Sequence, residues 1–338
     1  MCDKFIEKLI SNMKNSNIEY HLQNVYFKTI KNIIGDDIIK RTINDIGNRN
    51  DYIGVNIFKT KWKRKCFIVT NNQNKIYVEF NYKDNADVVK FKPIINFMMI
   101  CIHQIHSIFQ RKSKNFRMIF YLSEEKKKFD KKSIINGELI NANSINTGVT
   151  IFYNELPTIV VYRKEELLKV LFHELLHLHN THPLNEYDIY YDNICKTNWN
   201  IVRDGSLNLY EAYVEVFAVI IHSFIYAYCH HKDKITLKKF QSVFNREKKY
   251  SQDILDDIIT LRGNNYLHES TNIFSYFFVK CAIFQNMDLF FESIDKDNYC
   301  IIDGNETKYL RNMLENMKKI KKKIKRTSFR MTISDIVI

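Results

Sequence analysis

Residues 158–183 read TIVVYRKEELLKVLFHELLHLHNTHP, and how this stretch folds decides the architecture of the chain. Thr158 to Tyr162 is a short run of β-branched and aromatic residues, the pattern of a buried strand. The period then changes. Leu167, Leu168, Leu171, Leu175 and Leu178 recur at spacings of three and four, which predicts a helix over Arg163 to Asn180 with one apolar face, stopped by Pro183. A strand running directly into an amphipathic helix calls for a sheet with that helix packed on it.

Working outward, the sheet extends upstream. Tyr52 to Phe58, Cys66 to Thr70 and Lys75 to Phe80 are β-rich runs, with Asn71 to Asn74 as a hairpin turn. Pro93 opens a helix through about Gln110, and Phe116 to Leu122 reads as a strand. A Lys-rich loop follows, then an edge strand at Gly148 to Tyr153. Before all of these, residues 1–50 alternate apolar and charged positions at helical spacing (Phe5, Ile6, Leu9, Ile10, Met13) and predict a helical lead-in.

Downstream the texture is helical. A polar stretch from Leu184 to Asp204 leads to Ser206 or Asn208, either of which can cap a long apolar helix reaching about His230. Ile235 to Leu261, Asn272 to Ile294 and Lys308 to Lys325 read as further helices. The expected fold is therefore α+β: a lead-in over 1–50, a sheet and motif-helix part over 51–183, and a mainly α-helical part over 184–338 that ends in a basic segment.

Composition agrees and narrows the function classes. The 24 Phe and 20 Tyr in 338 residues exclude a disordered chain, while 8 Gly and 3 Pro disfavour a turn-rich all-β fold. Seven cysteines (Cys2, Cys66, Cys101, Cys195, Cys229, Cys281, Cys300) show no CxxC pair and read as reduced, mostly buried thiols. The start of the chain is charged, without the apolar run of a signal peptide. The apolar windows Ile94 to Phe109 and Tyr213 to Cys229 carry His103, His106, Glu215 and His222 and are short for membrane spans. An intracellular, cytoplasmic protein with no membrane span is the expectation. The net charge of +13 could attract nucleic acid, but abundant Lys and Asn also follow from AT-rich codons. Lys318 to Arg326 reads as a solvated helix end, with an anionic partner as the alternative.

The chemistry sits in the motif helix. His173-Glu174-Leu175-Leu176-His177 places two imidazoles four residues apart on one helix face, where both can reach one tetrahedral Zn²⁺, with Glu174 beside the open position. With 11 His in the chain, such a pentapeptide arises by chance about twice in a hundred sequences, so its context decides.

With that motif the chain resembles the His-Glu-x-x-His zinc metallopeptidases, the zincins. The order of strand, helix, strand, edge strand, strand and motif helix is similar to theirs, and in that superfamily the edge strand binds peptide. The resemblance implies a hydrolase: a single Zn²⁺ held by His173 and His177, Glu174 as general base, and a peptide or protein substrate laid against Gly148, Val149, Thr150 and Ile151. A metzincin would need a histidine at residue 183, which is Pro183. The gluzincin branch takes its third ligand from a glutamate on a second helix, with an acidic residue four positions later supporting the first histidine. Glu211 and Glu215 are similar to that pair, Glu211 lying 34 positions beyond His177. Glu211 is then the third ligand and Glu215 accepts the free ring N–H of His173. Glu215 remains the other candidate ligand. The bland alternative is that Glu211 complements the helix dipole in water while Glu215 pairs with a Lys or Arg.

Tyr213, His222, His230, His231, Tyr266 and His268 are candidates for stabilising the oxyanion, each otherwise a structural residue. His179 and His182 read as surface or capping residues, and His103 and His106 as core or surface histidines. The competing function is an inactive zincin-fold binding module that uses the basic surface for nucleic acid or a protein partner. Retention of Glu174, which metal binding alone does not require, favours the enzyme.

Overall fold

The computed structural model describes residues 2–15, 26–30, 60–71, 74–85, 87, 91–109, 115–128, 131–138, 146–152, 156–179, 189–201, 207–231, 234–263, 273–294, 306–318, 330 and 332–334. In chain order the elements are α1 (Cys2–Asn15), β1 (Tyr26–Ile30), β2 (Lys63–Asn71), β3 (Asn74–Tyr82), α2 (Phe91–Phe109), β4 (Phe116–Tyr121), α3 (Lys131–Asn136) and β5 (Gly148–Ile151). They continue with β6 (Thr158–Val161), α4 (Leu167–Leu178), α5 (Ile189–Trp199), α6 (Leu209–His231), α7 (Leu237–Arg262), α8 (Ile273–Gln285), α9 (Met287–Glu292) and α10 (Glu306–Glu315). The fold is α+β, with a mixed sheet in the N-terminal half and mostly helices in the C-terminal half. The chain divides into a sheet unit, within 12–126 and 146–180, and a helical unit built from 2–11, 127–128, 131–138 and the described residues from 189 to 334.

In the sheet unit six strands run in the order β1-β2-β3-β4-β6-β5. The first three are joined antiparallel, β3, β4 and β6 are mutually parallel, and β5 returns antiparallel to β6 as an edge. Parallel neighbours need a crossover, and α2 supplies the one between β3 and β4. β4 is buried at every position but its last, which explains its near-continuous apolar sequence. On one face the Phe80 ring stacks on Phe91 of α2 at 4.2 Å and on Phe120 of β4 at 4.9 Å. On the other, Ile119, Val160 and Ile151 cluster with Tyr121 and Val149. The alternation along β5 thereby sends Val149 and Ile151 one way and Gly148 and Thr150 the other, toward α4.

In the helical unit α6 is the central element, with sixteen buried residues. It is the helix among the described residues long and apolar enough to cross a membrane, and most of it is covered by the rest of the unit, as a core helix is. Phe5 of α1 packs against Phe217 and Phe291, at ring separations of 5.9 and 5.5 Å. Of the five cysteines described, Cys66, Cys101, Cys195 and Cys281 are buried and Cys229 is exposed, and none of the five is in a disulfide. Burial pushes the Cys281 thiol up to about 12.

Several expected elements are corrected. The lead-in over 1–50 is not helical throughout. After α1, the aromatic and β-branched run Tyr26 to Ile30 forms β1, because pairing with Ile68 and its neighbours on β2 overrides the weak helical pattern. The Lys-rich loop contains α3, which packs on α7 in the helical unit, so this segment does not belong with the sheet. The polar stretch from Leu184 contains α5, whose Ile194, Cys195 and Trp199 form a narrow buried strip. The helix expected over Asn272 to Ile294 breaks at Asn286, whose side-chain amide donates to the carbonyls of Ala282 and Met313 at 2.9 and 3.2 Å. The expected strand over Tyr52 to Phe58, residues 72 and 73 of the hairpin turn, and all but Lys318 of the basic segment lie outside the described residues.

One buried carboxylate ties the C-terminal part of the chain to α7. Glu247 is fully buried and accepts from the Thr332 hydroxyl at 2.8 Å, the Ile333 N–H at 3.0 Å and the Ser334 N–H at 2.8 Å. Bonds to a charged acceptor contribute about 1.5–3 kcal/mol each before desolvation is counted. Glu247→Ala is expected to lower the unfolding free energy by about 2–3 kcal/mol in urea titrations and to make the 332–334 segment cleavable by added protease. Unchanged stability and protection would show that Glu247 does not anchor it.

Candidate metal centre

α4 carries the motif. The chain enters it through Glu166, which adopts the left-handed backbone region (φ 58°, ψ 20°), and leaves it at His179, whose N–H bonds the Leu175 carbonyl at 3.1 Å. Every residue of α4 but His177 is buried, since the helix lies on β5, β6 and α2. One turn of helix brings the Nε2 atoms of His173 and His177 to 3.0 Å from each other. Ligands at about 2.05 Å from a tetrahedral zinc are about 3.3 Å apart, so this spacing suits one cation held between the rings. His173 is buried and His177 half-buried.

Glu174 turns toward β5. Its Oε2 accepts a hydrogen bond from the Thr150 hydroxyl at 2.7 Å, and its main-chain oxygen lies 3.1 Å from the same hydroxyl. At Gly148 a Cβ would stand 2.7 Å from Cγ1 of Val170 and 3.1 Å from both Cγ and Oε1 of Glu174. Glycine is therefore the residue that lets the strand and the carboxylate approach. Tyr162, at the end of β6, is fully buried, and burial raises its phenol far above the usual range, the Arg163 charge opposing the effect and the Glu174 charge adding to it.

In the helical unit the two glutamates stand one turn apart on α6, and α8 meets them in register. Tyr276 donates to Glu211 Oε2 at 3.1 Å, and four residues on Lys280 reaches Glu215 Oε1 at 3.2 Å. Lys280 and Glu215 are both wholly buried, and the ammonium also lies 4.6 Å from the Phe277 ring centroid. The pairing of Glu215 with a lysine, weighed in the sequence as the alternative, is thus present. A carboxylate has a second oxygen, so this pairing leaves it able to accept elsewhere. Asn208, one of the two expected caps, accepts from the Glu211 N–H at 3.0 Å; Ser206 lies outside the described residues.

Tyr276 and Lys280 escaped the sequence reading. The signal was there in Lys280, the lone charged residue of α8, because a lysine in an otherwise apolar helix needs a partner.

The other described candidates are buried in the core or lie at a helix end. Tyr213 is buried between Phe217 and Phe290, at ring distances of 4.9 and 5.9 Å. His222 is buried, and His230 stacks on Tyr226 at 4.2 Å at the exposed end of α6. His179 is buried rather than at the surface, its ring edge-on to His106 at 5.3 Å. Burial, with His103 adding to it, lowers the pKa of His106. His182, Tyr266 and His268 lie outside the described residues.

Compared with known protein families, with curated proteins and with solved structures, the chain finds no match.

Proposed function

We propose that the chain is a zinc-dependent metallopeptidase of gluzincin type, with His173, His177 and Glu211 holding Zn²⁺, Glu174 as general base and Glu215 supporting His173. The observation that carries this reading is the pair of imidazole nitrogens 3.0 Å apart on a helix that also sets Glu174 against an edge strand. His173, His177 and Glu211 are also a group of side chains that could hold a metal ion. Two imidazoles and a carboxylate are the donor set of a catalytic zinc, and a third ligand held by Tyr276 is one whose orientation is restrained.

Zn²⁺ in that position supplies a Lewis acid that lowers the pKa of water toward about 7 and polarises a scissile carbonyl. The chain's own residues do the rest. Glu174 takes the proton of the attacking water and returns it to the leaving amine. The substrate pairs as an extended strand with the side of β5 that has no strand neighbour among the described residues, where main-chain hydrogen bonds hold it with little sequence preference. Packing of α4 on β5 and β6 keeps the base and that edge at a constant separation.

The test is elemental mass spectrometry of the wild type beside His177→Ala and Glu211→Ala after dialysis against a mild chelator. One zinc per wild-type chain, lost in both variants, is expected. Zinc retained by Glu211→Ala would remove Glu211 from the ligand set. A wild type that binds none would overturn the peptidase reading and leave the basic binding module.

A further inference from the structure

We infer that Thr150 is the positioning residue for Glu174, so that the strand expected to bind substrate also sets the place of the proposed base; this rests on the peptidase reading above. Both β5 positions that face α4 lie against this carboxylate, Gly148 lying against Val170 as well. Thr150 donates to it at 2.7 Å, and Gly148, two residues earlier on the same face, withholds the Cβ that would crowd its Cγ and Oε1. The hydroxyl has a single proton, and the shorter, charge-assisted contact to Oε2 takes it in preference to the 3.1 Å contact with the Glu174 carbonyl. Val149 and Ile151 face the opposite cluster and take no part.

The consequence is geometric. A glutamate side chain left to its rotamers samples positions separated by several bonds' rotation, whereas one tied to β5 keeps a single place relative to that strand. An extended peptide paired with β5 takes its register from the same strand. Base and scissile bond are then referred to one element, which limits misplacement of the kind that costs about a hundredfold in rate per ångström.

Thr150→Val removes the hydroxyl and keeps the β-branched shape; Thr150→Ser keeps the hydroxyl and removes the methyl. The full zinc-loaded chain is assayed on a pooled library of internally quenched octapeptides, and kcat and KM are measured on one cleaved member. Zinc content should be equal in all three proteins. Thr150→Val should lose about tenfold to a hundredfold in kcat with KM within about twofold, while Thr150→Ser stays within about threefold of wild type. Crystals of the metal-free proteins give a readout independent of turnover: the Glu174 carboxylate should lie on β5 in wild type and Thr150→Ser and leave it in Thr150→Val. The inference alone is overturned if Thr150→Val turns over like wild type, if Thr150→Ser is as slow as Thr150→Val, or if the carboxylate has not moved. Wild type that binds no zinc, or cleaves no library member, overturns the peptidase reading and this inference with it.

Discussion

Glu174→Gln should keep one zinc per chain and lose about 10²–10⁴-fold in kcat, the usual contribution of a positioned general base. The substitution is nearly isosteric, and the amide oxygen of Gln can still accept from the Thr150 hydroxyl, so packing against β5 is retained. What is lost is the capacity to take a proton. KM is expected to change little, because the carboxylate acts on the water rather than on the peptide. Zinc measured by elemental mass spectrometry controls for collapse of the site. Turnover at the wild-type rate in a zinc-replete Glu174→Gln protein would sink the assignment of the base while leaving the metal ligands standing.

The second large effect lies in the helical unit. Lys280→Met should reduce the unfolding free energy by about 3–5 kcal/mol, because it strands the Glu215 carboxylate without its 3.2 Å partner in a wholly buried place. The double change Glu215→Gln with Lys280→Met should recover much of that loss, since two buried charges then disappear together. Urea denaturation of the single and double variants measures the coupling. Glu215→Gln alone separates the two duties proposed for this residue. If its second oxygen accepts the ring N–H of His173, this variant weakens zinc about 10–100-fold beyond any stability cost. A Lys280→Met protein as stable as wild type would mean that water or another group replaces the ammonium.

Much of the sheet and of α4 was legible because local pattern and tertiary requirement agree there. Thr158 to Val161 has one reading as a buried strand, and the leucines that mark α4 as an apolar helix are all buried. β1 was illegible for the opposite reason: Tyr26 to Ile30 is too short to announce itself and becomes a strand by pairing with β2. The break at Asn286 likewise depends on a carbonyl at Met313, 27 residues away.

The sequence by itself determined the α+β class, the motif helix with the strand before it, and the proposed ligand pair His173 and His177, because a spacing of four on one helix brings two side chains together wherever that helix packs. The partners of the glutamates were settled by the tertiary structure alone. Thr150 reaches Glu174 across 24 residues, and Tyr276 and Lys280 reach Glu211 and Glu215 across 65. Such contacts are set by which strand forms the sheet edge and how two helices register, and neither leaves a periodic trace in the chain.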